Sequence, residues 1–183
     1  MQPTIKEVIL SRRTIHQFKT GQVPDIDTIR EAINVARWAP NHHLTEPWMF
    51  YLIGPDTAKA ITGLCSNIVR EQKGEKAAQL KHARWSMMPG WLVVTCKKSQ
   101  DRIREREDFA ACSCAVENFM LYLWAEGIGV KWTTGDIIRD PRFFELLGID
   151  QDLESVVGLF WYGFAEIIPT TLRKPVNDII RII

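Results

Sequence analysis

No stretch of this chain is apolar for long enough to cross a bilayer, and no charged-then-apolar leader opens it. Neither sign of charge dominates: 23 Lys and Arg stand against 22 Asp and Glu, a net of +1. That balance gives no electrostatic reason to expect nucleic acid or an anionic membrane as partner. Cysteine is sparse. Cys65, Cys96, Cys112 and Cys114 contain no Cys-x-x-Cys pair, and Cys112 and Cys114, two apart in a helical stretch, point in different directions. They are expected to be free thiols, mostly buried, in a reducing compartment, which places the chain in the cytoplasm. A Walker loop, a Gly-x-Ser-x-Gly elbow and a helical histidine pair at i, i+4 are all missing. Gly127-Ile128-Gly129 is not a dinucleotide fingerprint, because it follows a helix and precedes a strand, with Trp132 where a third glycine would stand.

What is present suits an ordinary globular protein. With 183 residues, 46% hydrophobic and 25% charged, the chain is expected to form one domain over residues 1–183. Thr4 and Glu7 form a capping box that opens a helix to about Leu10. Asp25 caps a second helix whose apolar face is Ile26, Ile29, Ile33 and Ala36, with Pro40 ending it. Trp48 to Ile53 reads as a strand closed by Gly54-Pro55, and Asp56 is expected to cap a helix running towards Gly74. A more charged helix then precedes Pro89-Gly90.

Trp91 to Cys96 has the continuous apolar character of a strand buried on both faces. Asp101 to Asp108 reads as a solvated helix start in which Arg104 and Asp108 pair one turn apart. Phe109 to Trp124 follows as a helix apolar almost all round, which marks a central buried helix. Gly127 and Gly129 end it, and Val130 to Thr133 and Val156 to Phe164 read as strands. Between them Asp140, Pro141 and Gly148 mark the start and stop of a short helix. Helices alternating with strands point to an α/β or α+β sheet packed between helices.

Four segments carry chemistry. Ser11-Arg12-Arg13-Thr14-Ile15-His16 sets two guanidinium forks beside a hydroxyl with no acid nearby in sequence, a donor set suited to a phosphate monoester, the commoner alternative being a solvated pair at a helix end. Trp38-Ala39-Pro40-Asn41-His42-His43-Leu44-Thr45-Glu46-Pro47-Trp48 is a loop held by two prolines that presents His42, His43 and Glu46. The alternative for it is a polar loop with one histidine capping locally. Trp132-Thr133-Thr134-Gly135 leaves a strand with hydroxyls and a glycine, which lets backbone N–H groups approach a ligand. The threonines could equally satisfy their own backbone. Arg173-Lys174-Pro175, in the tail, adds charge to a phosphate site or is simply solvated.

Taken in order, Arg12-Arg13-Thr14, Ala39-Pro40-Asn41-His42 leading to Pro47-Trp48, Gly127-Ile128-Gly129 with Trp132-Thr133-Thr134-Gly135, and Gly163-Phe164 resemble the nitroreductase family of FMN-dependent oxidoreductases, in its shorter branch. The resemblance implies an α+β three-layer sandwich with a central, mainly antiparallel sheet. It also implies a homodimer with FMN at the interface and a C-terminal tail reaching over the partner. By it Arg12, Arg13 and Thr14 hold the FMN phosphate and pyrimidine edge, Arg173 assisting. Trp38 and His42 come from the other subunit, and Trp132, Thr133, Thr134 and Gly135 line the isoalloxazine. NAD(P)H would deliver a hydride to flavin N5, and a nitroaromatic, quinone or similar acceptor would take it by ping-pong kinetics. Donors near N1 and O2, Arg13 among them, would steady the reduced flavin without any side-chain acid or base. The chain departs from the family at Leu44, Glu46 and His16, the last standing where members often carry Arg. A rival reading is a non-catalytic flavin-binding or redox-sensing protein whose flavin is capped by Trp85, Trp91 and the basic-aromatic region between Lys81 and Trp91. A flavin-free scaffold is the third.

Overall fold

Thr4 opens the first helix as its capping box predicts. The Thr4 hydroxyl accepts from the Glu7 N–H at 3.3 Å, and the Glu7 carboxylate accepts from the Thr4 N–H at 2.7 Å. In the computed structural model, which describes residues 3–183, this helix is α1, Ile5–Ser11. α2 spans Ile26–Ala36 behind its Asp25 cap. It ends before Pro40: Trp38 and Ala39 donate to the carbonyls of Val35 and Ala36, three residues back, in tight turns. α3, Pro55–Lys73, starts from Gly54 with proline in its first turn, so Asp56 lies inside the helix and is not its cap. α4 covers Glu75–Trp85. α6, Pro141–Leu147, has the Asp140 cap and left-handed Gly148 that its sequence signals.

Four strands, β1 Trp48–Leu52, β2 Gly90–Lys97, β3 Ile128–Thr133 and β4 Glu154–Phe164, form one sheet in the order β1-β2-β4-β3. Each neighbouring pair is antiparallel. Alternation along the central strands divides the core. Leu92, Val94, Phe160 and Tyr162 face α2 and the long helix α5 (Arg102–Ala125), while Trp91, Val93, Leu159 and Trp161 face α3, α4 and α6. The result is the α+β three-layer sandwich, with helices on both faces of the sheet.

α5, Arg102–Ala125, is a single helix capped by Asp101, joining the charged and apolar runs. It is not buried all round. Ala111, Cys112, Ala115, Val116, Phe119 and Leu123 form one buried stripe, while Phe109 and Cys114 are exposed. The reason is its position in an outer layer, where only one side meets the sheet and α2. Asp108 is also misread by a solvated view of this segment: it is buried and accepts the Thr45 hydroxyl, not Arg104. Gly129 lies within β3, where the sequence had suggested a helix end, and only Gly127, at φ +75°, turns the chain out of α5. Cys65, Cys96 and Cys112 are buried, as expected for most of the thiols, and burial pushes the Cys65 thiol up to about 11. No helix among the described residues is long and apolar enough to cross a membrane.

Candidate functional site

The Arg12–His16 segment is laid against β3. Thr14 bridges to Val130, the Ile15 N–H donates to the Val130 carbonyl at 3.1 Å, and the Ile15 side chain fills the space above Gly129. Glycine at 129 is what admits the segment, since a Cβ there would sit 2.3 Å from Ile15 Cγ1. Two of the sequence motifs therefore meet, the arginine pair lying beside the strand whose far end is Thr133.

The two arginines are not bare. Arg12 Nε lies 3.5 Å from Glu117 Oε1 on α5, an acid distant in sequence. Arg13 folds back, its Nη1 donating to the carbonyls of Leu10 and Arg12 at 2.8 Å each. Neither arrangement consumes the donor set. The Glu117 pair is long and half exposed, of a kind contributing at most about 1 kcal/mol, and Arg13 keeps its other guanidinium donors.

At the exit of β3, Thr133 and Gly135 border a cavity of about 440 Å³ against α3 and α4. The chain then enters a 3-10 turn, Asp136–Arg139, whose opening amides have no partner inside the turn. Trp132 does not join them by its side chain. Its ring stacks on Phe160 at 5.5 Å and its indole donates to the Val157 carbonyl at 3.1 Å, within the opposite core. Strand alternation forces this, since neighbours in β3 take opposite faces; Trp132 can offer the Thr133 side only its backbone.

Trp38 and His42 lie elsewhere, on the loop after α2. Trp38 is 76% exposed beneath the Arg37 guanidinium, and His42 Nδ1 stands 3.2 Å from Glu107 on α5. The loop is held less by its prolines than by Asn41, whose Oδ1 accepts from the Glu46 N–H at 2.7 Å and whose Nδ2 donates to Thr45. His43, Leu44 and Glu46 all adopt positive φ, a strained course that the buried Asp108–Thr45 bond helps to retain. Arg173 sits on an exposed tail and, among the described residues, donates only to Thr171 and Leu172 beside it. Within one chain, then, the structure seats Arg12–Thr14 on β3 at Val130, the strand that leads to Thr133, and leaves Trp38, His42 and Arg173 apart.

Cations gather beside this exit, Lys81 and Arg84 from the basic-aromatic stretch Lys81–Trp91 and Lys131 from β3. Lys81 Nζ lies 5.1 Å over the Trp85 ring, and Lys131 Nζ lies 5.1 Å over Trp161, whose ring meets Trp85 edge-on at 4.9 Å. Burial, then Arg84 and Lys81, hold the Lys131 ammonium below its ordinary pKa; burial, then Lys131 and Arg84, do the same to His16. The spacing of Lys81 and Arg84 on one helix face, and of Lys131 and Thr133 on one strand face, was the available signal. Only the fold shows that those faces meet.

His16 offers a direct check. Its imidazole titrates by NMR below the ordinary histidine value in the ligand-free protein, and an anion bound nearby moves it up. The sign for stability follows. Because the folded-state value is lowered, the unfolded chain takes up the proton first, and His16 disfavours folding as pH falls through the ordinary histidine range. A His16 resonance titrating at or above the ordinary value would contradict this placement.

The same geometry bears on the two indoles that the rival reading places over a flavin. Trp85 and Trp91 are each 4% exposed and locked against Trp161, so their rings are not free to cap a bound flavin.

Comparison with known proteins agrees with the architecture. The nitroreductase family profile matches residues 9–164. YfhC of Bacillus subtilis (strain 168), provisionally named an NAD(P)H nitroreductase, is 29% identical over 180 residues, 95% of this chain and 91% of that protein. The crystal structure of a nitroreductase-like family protein from Bacillus cereus matches with a TM-score of 0.87 at 28% identity, over 100% of this chain and 97% of the other. A provisionally named nitroreductase from Desulfovibrio desulfuricans, solved in complex with FMN, matches at 0.78 and 17% identity, over 98% and 96%, a likeness of fold alone. By sequence over most of its length and by its layered sheet, the chain belongs to the nitroreductase family.

Proposed function

We propose that the chain is an FMN-dependent oxidoreductase that draws electrons from NAD(P)H and passes them to a small electrophile such as a nitroaromatic or quinone. The observation that carries this reading is the seating of the Arg12–His16 segment on β3, the strand whose exit presents Thr133 and Gly135 to the cation-lined cavity. The donor set fits the group: guanidinium forks and a hydroxyl for a phosphate, free turn amides for ring heteroatoms, and cations without matched acids for an anionic ligand. When bound, the flavin supplies the hydride chemistry. Arg12, Arg13 and Thr14 hold its phosphate end with help from Arg173, and the Thr133–Gly135 backbone faces the ring. Lys131 and Arg84 supply positive potential that favours the added negative charge of the reduced state.

A second copy of the chain completes the site in this reading. Trp38 and His42 lie apart from the β3 exit within one chain, and the tail exposes Leu172, Val176, Ile179 and Ile182 to solvent. An apolar strap of this kind gains its burial on a partner. The homodimer therefore brings Trp38 and His42 to the neighbour's flavin.

The test is turnover. Protein reconstituted with FMN is expected to oxidise NAD(P)H with a neutral quinone as acceptor, giving parallel double-reciprocal plots. Bound flavin with no turnover across a panel of quinones and nitroaromatics would overturn the enzymatic reading.

A further inference from the structure

The cavity of about 440 Å³ runs from Thr133 and Gly135, where the flavin ring is proposed to lie, out to α3 and α4. Its floor includes the Trp85 ring and its rim carries Lys73, Lys81 and Arg84, against one carboxylate, Asp136. None of these three cations makes a salt bridge among the described residues. Lys81 and Arg84 stand at i, i+3 on α4, and like charges at that spacing oppose each other. Stacking of Lys81 on Trp85 holds its charge in place without neutralising it. Lys131, over the adjoining Trp161, adds a further positive charge from the sheet side. An apolar floor with an unneutralised positive rim matches an aromatic ring that bears an anionic substituent. It differs from the Arg12 grip, where Glu117 already supplies a counter-charge.

We propose that this cleft binds the anionic substituent of a reductase substrate, so that Lys73, Lys81 and Arg84 set specificity for negatively charged molecules. The proposal rests on the reductase reading for what those molecules do, though not for whether the cleft binds them. Two sources share the chemistry: a carboxylated aromatic acceptor, or the extra phosphate that distinguishes NADPH from NADH.

Steady-state kinetics separate the sources. One arm compares 4-nitrobenzoate with 4-nitrobenzyl alcohol at fixed donor; the other compares NADPH with NADH using a neutral quinone. The anionic member of one pair is expected to have the higher kcat/KM. That preference is expected to fall about three- to fivefold for each charge removed in Lys81→Gln and in Lys73→Gln with Lys81→Gln. Loss confined to the first arm assigns the cleft to the acceptor, and loss confined to the second assigns it to the donor.

A binding arm runs without turnover. Benzoate or 2′-AMP, but not benzyl alcohol or adenosine, is expected to change the tryptophan fluorescence of the FMN-reconstituted protein, and the lysine variants are expected to weaken that change. Turnover of neutral acceptors with no preference for anions, in rate or in fluorescence, overturns the inference and leaves the reductase reading intact. Failure of all turnover overturns that reading, and the fluorescence arm then decides the cleft by itself.

Discussion

Protein carrying Arg12→Ala and Arg13→Ala together is expected to lose FMN on desalting, with its dissociation constant raised roughly a hundredfold or more. Each charge-assisted bond to a phosphate contributes about 1.5–3 kcal/mol, and two lost together exceed the 1.4 kcal/mol that corresponds to tenfold. The structure sharpens the expectation. Among the described residues Arg12 is held only by a 3.5 Å contact with Glu117, so a phosphate dianion competes with a weak, half-exposed partner. Glu117→Gln is therefore expected to leave flavin retention unchanged or slightly tighter, which separates loss of the fork from general damage to α5. Flavin absorbance remaining after gel filtration checks both variants. Unchanged retention in the double variant would remove the basis of the proposed cofactor site.

Gly129→Ala is expected to cost about 1–3 kcal/mol of stability and to weaken flavin retention at the same time. The added methyl would stand 2.3 Å from Ile15 Cγ1 and 3.0 Å from Ile15 Cβ. Ile15 is fully buried and its neighbour Thr14 is pinned to Val130, so the whole Arg12–His16 segment must shift. For a chain of this size the penalty corresponds to a fall in Tm of about 2–4 °C per kcal/mol. Gly127→Ala is the control. Nothing lies within 4 Å of a Cβ there, but φ is +75°, so about 1 kcal/mol of backbone strain is expected without loss of flavin. Equal flavin retention by Gly129→Ala and the native protein would show that the segment's seat on β3 does not position the arginines.

What could be read from the chain depended on how local the signal was. The Thr4–Glu7 box and the Asp140-Pro141…Gly148 start and stop are written within a few residues, and both helices stand where those residues put them. β2 was legible because an apolar run of strand length needs both faces covered. α5 was misjudged around its circumference, since composition reports that a helix is apolar but not how many neighbours cover it. The buried Asp108 had no sequence signal, because its partner Thr45 lies 63 residues away. The direction of Trp132 was readable in principle: alternation alone separates it from Thr133. The cationic rim was not, because Lys73, Lys81, Arg84 and Lys131 come from two helices and a strand that only the folded topology brings together.

The three indoles of Trp85, Trp91 and Trp161 meet pairwise at 4.9–5.7 Å with interplanar angles of 69–80°. Chromophores so close and so fixed couple their excited states, and steep mutual tilt gives that coupling a handedness. The native molecule thus carries its own optical fingerprint in the ultraviolet, a signed pair of dichroic bands set by the seam between α4 and the sheet. Loosening of that seam would erase the bands even while the helices and strands themselves persisted.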